Sequence, residues 1–126
     1  MPVHWTISHA NRLVLAVAKG DVDAADIEAY FREVNNEGGM SYAKIFDMTS
    51  APSIISDENI QTLGGLIQSY AMVGKIGPVA IVARSDESFR QAQVFATAAQ
   101  ADRLLQIFRE QHEASKWLNE LGVKTA

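Results

Sequence analysis

Apolar and polar residues alternate at the start of the chain, with Val3, Trp5 and Ile7 set against His4, Thr6 and Ser8. A period of two predicts a strand with one buried face. His9–Arg12, which contains Asn11, reads as a hairpin turn into a second strand over Leu13–Ala18, ended by Gly20. So short a link joins antiparallel neighbours. From Asp23 the period becomes helical: Ala24, Ile27, Phe31 and Val34 make one stripe, and Glu28, Arg32 and Glu33 take the wet side. Asp23 is the expected N-cap with Asp26 at N3, Val22 and Ile27 form a staple, and Gly38-Gly39 ends the helix.

Ala43–Met48 is an apolar run broken by Asp47, and reads as the third strand. Thr49–Ser56 is polar and holds Pro52, which predicts a loop. Ile60, Leu63, Ile67, Tyr70 and Ala71 then recur at helical spacing, with Ser56 as N-cap and Ile55 and Ile60 placed for a staple. Gly64 and Gly65 lie inside this helix, each about 1 kcal/mol less favourable there than alanine, which predicts a close backbone approach to a neighbour. Gly74 is the expected stop. Val79–Ala83 is apolar on both faces and predicts a central strand covered on both sides. Ser85 or Asp86 caps a third helix carrying Phe89, Ala92, Phe95, Ala96 and Ala99. Arg103–Phe108 reads as the last strand, and Ala114, Trp117, Leu118 and Leu121 mark a final helix ended by Gly122.

The pattern predicts an α/β domain spanning 1–126, with a five-stranded, mostly parallel sheet, an antiparallel N-terminal edge strand and four main helices. A chain of 126 residues, 48% of them hydrophobic, suits one domain with a real core. It has no cysteine, which removes disulfide and thiolate chemistry and fits a cytoplasmic location. Eleven basic against fifteen acidic residues, with no basic run, argue against nucleic acid as a partner. No apolar run reaches the roughly 20 residues that span a bilayer. The first twelve residues show no charged segment followed by an apolar one, so no signal peptide is expected.

Candidate chemistry collects where the parallel strands end. Asp47, Thr49, Ser50, Arg84, Ser85 and Arg109 all fall just after strands, near the helix that begins at Ser56. Two arginines, several hydroxyls and a helix N-terminus suit a phosphate or carboxylate. The competing explanation is an Asp47–arginine ion pair with ordinary helix caps. His4, His9 and His112 show no metal-ligand spacing, and neither a phosphate loop nor a Ser–His–Asp set is present. No cofactor or metal is therefore expected, and the chain reads as non-enzymatic.

The two opening strands, the Lys44–Thr49 strand end (KIFDMT), the Val79–Arg84 strand (VAIVAR) and the closing stretch from Ile107 to Leu118 resemble the SpoIIAA-like group of the STAS (anti-sigma-factor antagonist) superfamily. The resemblance implies a small βα domain of a kind found in bacterial regulators and related to the lipid-binding SEC14 fold. It also implies a switch serine opening the helix after the third strand, in an Asp-Ser-Ser-Gly segment. Here that place reads Ile55-Ser56-Asp57-Glu58, so Ser56 and Asp57 take the two serine positions, and the serine pair and the glycine are missing. Asp57 then stands as a fixed charge, and Ser56 is explained by capping alone.

Two functional expectations follow. One is a regulatory or protein-interaction module of STAS type, acting through the Asp47–Ser56 loop and the helix after it on an unidentified protein partner. The other is a binder of a small apolar or lipid-like ligand, with Gly64, Gly65, Ala92, Ala96 and Ala99 leaving the room. In either case the chain is expected to be a monomer or a weak homodimer.

Overall fold

In the computed structural model, which describes residues 2–51, 55–100 and 104–125, the chain runs β1 (Val3–Ser8), β2 (Leu13–Lys19), α1 (Ala24–Asn36), β3 (Ala43–Ser50), α2 (Asp57–Val73), β4 (Val79–Val82), α3 (Asp86–Ala98), β5 (Leu105–Phe108) and α4 (Gln111–Glu120). The five strands form one sheet in the order β1-β2-β3-β4-β5. β1 pairs antiparallel with β2, and the other pairings are parallel. The first strand is thus at an edge, and β4, buried at every position, lies inside.

This order has a consequence for the layers. Each parallel strand is laid beside the one before it, always in the same direction. Right-handed crossovers then place every connecting helix on one face. α1, α2 and α3 share that face, over Val3, Val14, Ala16, Phe46, Val79 and Ile81. The opposite face has α4 alone, which packs Ala114 and Leu118 on Leu13, Ala43, Ile45, Ala80 and Val82. α4 rests on β3, β4 and β5, so Leu15 of β2 is left 36% exposed.

The local signals act as their chemistry requires. The Asp23 carboxylate accepts the Asp26 N–H at 2.9 Å while the Asp26 side chain accepts the Asp23 N–H at 3.0 Å, a reciprocal cap. Gly38, at φ +78, ends α1 in a Schellman turn: the Gly39 N–H reaches Val34 O at 2.9 Å and the Gly38 N–H reaches Asn35 O at 3.1 Å. Ser56 accepts the Asn59 N–H at 3.2 Å, and Ser85, rather than Asp86, caps α3 through the Ser88 N–H at 3.0 Å. The close approach expected at the helical glycines occurs at Gly64. A Cβ there would lie 2.5 Å from Ala98 Cβ and 2.9 Å from the Ala99 nitrogen. At Gly65 a Cβ would meet nothing within 4 Å.

Three details depart from the pattern reading. β3 continues through Thr49 and Ser50, because a register shift between the two strands, with the extra residue on β3, lets Lys19 pair with Ser50. The hairpin carries a positive φ at Arg12, which the pattern did not mark. Trp117 is half-buried, its ring 5.8 Å from that of Phe108 at the margin of the core. Pro52, Arg103 and the start predicted for the last strand lie outside the described residues.

Candidate functional site

The strand-end residues divide into two groups. On β3, Asp47 Oδ1 accepts both the Thr49 N–H at 2.9 Å and the Thr49 hydroxyl at 2.7 Å, a local turn that shapes the strand end. Ser50 is exposed and pairs with Lys19. Beyond β4 and β5, Arg109 donates to Arg84 O and to Asp86 Oδ1, both at 2.9 Å, and lies 4.3 Å over the Phe89 ring. Arg84 pairs with Glu110 at 3.2 Å, and Ser85 is occupied as a cap. Among the described residues no hydrogen bond or ion pair joins Asp47 to either arginine. The arginines therefore tie loops together with carboxylates already in place, and do not converge with Asp47, Thr49 and Ser50.

At the start of α2, Asp57 is held by both arms of Arg90, at 2.9 and 3.1 Å. The same guanidinium takes Glu87 at 2.7 Å. The hydrogen bonds from Arg90 hold the Asp57 and Glu87 carboxyls below the usual carboxylate range, against a smaller opposing effect of desolvation. A depressed carboxyl stabilises the fold above its unfolded pKa and loses that contribution as pH falls through the folded value. The Arg90 cluster thus stays ionised through the neutral range. Next to it, the Gln91 amide donates to Ile55 O at 2.6 Å.

Between the sheet and its three-helix layer lies a cavity of about 100 Å³. Its floor is the inward row of β3, Lys44, Phe46 and Met48, together with Val79 and Ile81 of β4. Its walls are Tyr30, Phe31 and Val34 of α1, Ile60, Leu63 and Ile67 of α2, and Ala92 and Phe95 of α3. Lys44 and Met48 are four steps apart along the strand, so this floor is roughly 13 Å long. Aromatic rings meet across it: Tyr30 and Phe46 at 5.4 Å, and Phe31 and Phe95 at 6.4 Å.

The two ends of the cavity differ. Val34, Met40, Lys44 and Val79 are buried and close one end. Ile27, Met48, Ala51 and Ile55 are part-exposed and stand where β3 runs out and α2 begins. The cavity, as the described residues form it, opens at this second end. Lys44, 5% exposed, donates to Met40 O at 2.6 Å and Tyr42 O at 2.8 Å, so its amine holds the turn before β3 and its stem adds to the apolar floor. Gln91 stands near the open end with its amide on Ile55.

Of the small residues expected to leave space, only Ala92 lines the cavity. Gly64 is filled by the close contact with α3. The lining is mostly large side chains. Two participants had weak signals in the sequence. Lys44 shares the inward parity of Phe46 and Met48, and Glu87 lies three residues before Arg90 on one helix face. The Arg90–Asp57 pair spans 33 positions and has no local signature.

Among the described residues no group of three or more His, Asp or Glu side chains is placed to hold a metal ion. No described helix is long and apolar enough to cross a membrane. Compared with protein-family models and with curated proteins, the chain matches none.

Proposed function

We propose that this protein binds a small, uncharged and predominantly apolar molecule in the cavity between its sheet and α1–α3. The observation that carries the reading is the cavity itself: about 100 Å³, walled by aliphatic and aromatic side chains and, among the described residues, lined by buried side chains at one end and part-exposed ones at the other. An unfilled void is unfavourable. At about 24 cal/mol per Å³, one of this size forfeits roughly 2 kcal/mol of packing, which a bound apolar molecule regains. An apolar cavity of comparable size, ~150 Å³, stays dry and takes up benzene.

The polar groups in the wall set the ligand class. The Lys44 amine donates to two carbonyls, and the Gln91 amide donates to a third. A ligand carboxylate or phosphate would lose its hydration among Phe31, Phe46 and Phe95, at a cost of several kcal/mol. An uncharged ring or short hydrocarbon loses nothing comparable. The reading is non-catalytic, and it agrees with the resemblance to the STAS and SEC14-related domains, which remains part of the proposal. A protein-interaction role for the Asp47–Ser56 loop and α2 has less support, since Ser56 is occupied as a cap and Asp57 by Arg90.

Calorimetric titration with benzene as the uncharged probe tests the proposal, using the wild type and Ala92→Leu. Saturable binding by the wild type that is weakened at least about tenfold by filling the cavity is expected. A folded wild type that takes up no probe, or equal binding by both proteins, would overturn it.

A further inference from the structure

The aromatic side chains of the cavity are not scattered over its wall. Phe46 of β3 meets Tyr30 of α1 at 5.4 Å between ring centroids, Tyr30 meets Phe31 at 5.8 Å, and Phe31 meets Phe95 of α3 at 6.4 Å. The four rings thus form one chain that borders the cavity from the sheet through α1 to α3. α2 supplies the other side, with Ile60, Leu63 and Ile67. Neighbouring rings along the chain are tilted by 57°, 48° and 38°, so it turns from one ring to the next and presents edges as well as faces. Met40 and Met48 line the same space, and a thioether is a favourable neighbour for an aromatic ring.

We infer that the ligand of this cavity carries a single aromatic ring, seated against the chain of Phe46, Tyr30, Phe31 and Phe95. The inference rests on the cavity being a binding site. A saturated ligand gains from both walls only in proportion to the apolar area it buries. An aromatic ligand gains the same from the α2 wall and more from the other, because the positive edge of one ring is drawn to the negative face of the next. Against two of the four rings that preference amounts to about fivefold at the least. The Lys44 amine and the Gln91 amide already donate to backbone carbonyls, so recognition falls to the rings. The volume limits the size. About 100 Å³ is of the order of the ~150 Å³ of an apolar cavity that takes up benzene, so one ring fills most of it and a second fused ring has no room.

NMR titration with benzene and with cyclohexane tests this on the wild type, Phe46→Leu, Phe95→Leu and Ile67→Val, each affinity being read from the methyl shifts of Ile60 and Leu63. Phe46 and Phe95 are the part-exposed members of the chain of rings, where leucine disturbs the fold least. In at least one of the two phenylalanine variants the ratio of benzene to cyclohexane affinity should fall about two- to tenfold, the share of one aromatic pair. Using the ratio cancels any change in cavity size that both ligands feel alike. Ile67→Val, on the aliphatic wall, should leave the ratio unchanged. The wild type supplies a reading that needs no variant: bound benzene should show nuclear Overhauser contacts to the ring protons of Phe46 or Phe95. An unchanged ratio in both phenylalanine variants, or benzene contacts confined to the α2 side chains, would overturn the aromatic preference and leave the binding site standing. Absence of binding by either molecule to the folded wild type would overturn both.

Discussion

The two faces of the sheet are built from similar residues and end in different states. Under α4, Ala80, Val82, Ala114 and Leu118 have no exposed surface, and aliphatic side chains of modest size interlock. Under α1–α3, Tyr30, Phe31, Phe46 and Phe95 meet as plates, and a void remains among them. The difference comes from what each layer has to reconcile. α4 is a single helix free to settle on a flat patch of small residues. α2 and α3 are drawn together by Gly64, and α1 must then bridge the remaining width on aromatic side chains. A layer with that many fixed contacts does not collapse onto its own gap. Tight packing on one face and a cavity on the other therefore arise from one topology, in which all three crossovers fall on the same side.

The largest effect expected from this comparison is on the filled face. Leu118→Ala should destabilise the protein by about 3–5 kcal/mol, since nothing around a fully buried leucine beneath one helix has room to relax. Urea unfolding measures it, and a loss below ~2 kcal/mol would mean that the α4 face is as yielding as the other. Enlarging a small residue is the sharper comparison. Ala114→Leu, on the filled face, should cost about 1–3 kcal/mol through overpacking. Ala92→Leu, on the cavity face, should cost less than about 0.5 kcal/mol or stabilise, because its added carbons enter existing space. Equal losses for the two would remove the distinction between the faces.

The two helical glycines should respond with opposite signs. Gly64→Ala should destabilise in spite of its better helix propensity, because the new methyl group lands on Ala98. Gly65→Ala, facing open space, should stabilise by up to about 1 kcal/mol. Stabilisation by both would show that α2 and α3 stand farther apart than described.

Much of the scaffold was legible in the chain. The alternation of Val3, Trp5 and Ile7, the apolar run at β4, the Asp23–Asp26 box and the helix-ending Gly38 and Gly122 act locally, within reach of a single turn or strand. The close approach at Gly64 was legible because two adjacent glycines in a helix require a reason, although the chain did not say which of them had it. The strand-end rim divides into two groups for a physical reason. Residues that follow parallel strands share an end of the sheet, but each arginine finds the nearest carboxylate, Glu110 or Asp86, before it reaches Asp47. Space for a ligand was expected at small residues, of which Ala92 alone lines the cavity, and the large side chains that form the rest of its wall gave no sign of it. Every stripe that lines it is apolar whether the stripes touch or stand apart, and the pairing of Asp57 with Arg90 exists only once α2 lies beside α3.

The most direct test of the account is methyl-resolved NMR of the protein titrated with toluene, a ligand small enough for the cavity and lacking charge. Saturable shifts at the methyl groups of Met40, Met48, Ile60 and Ile67, with those of Leu13, Val82 and Leu118 unmoved, are the expected result. Shifts spread evenly over both faces, or none at the four cavity residues while the protein stays folded, would contradict it.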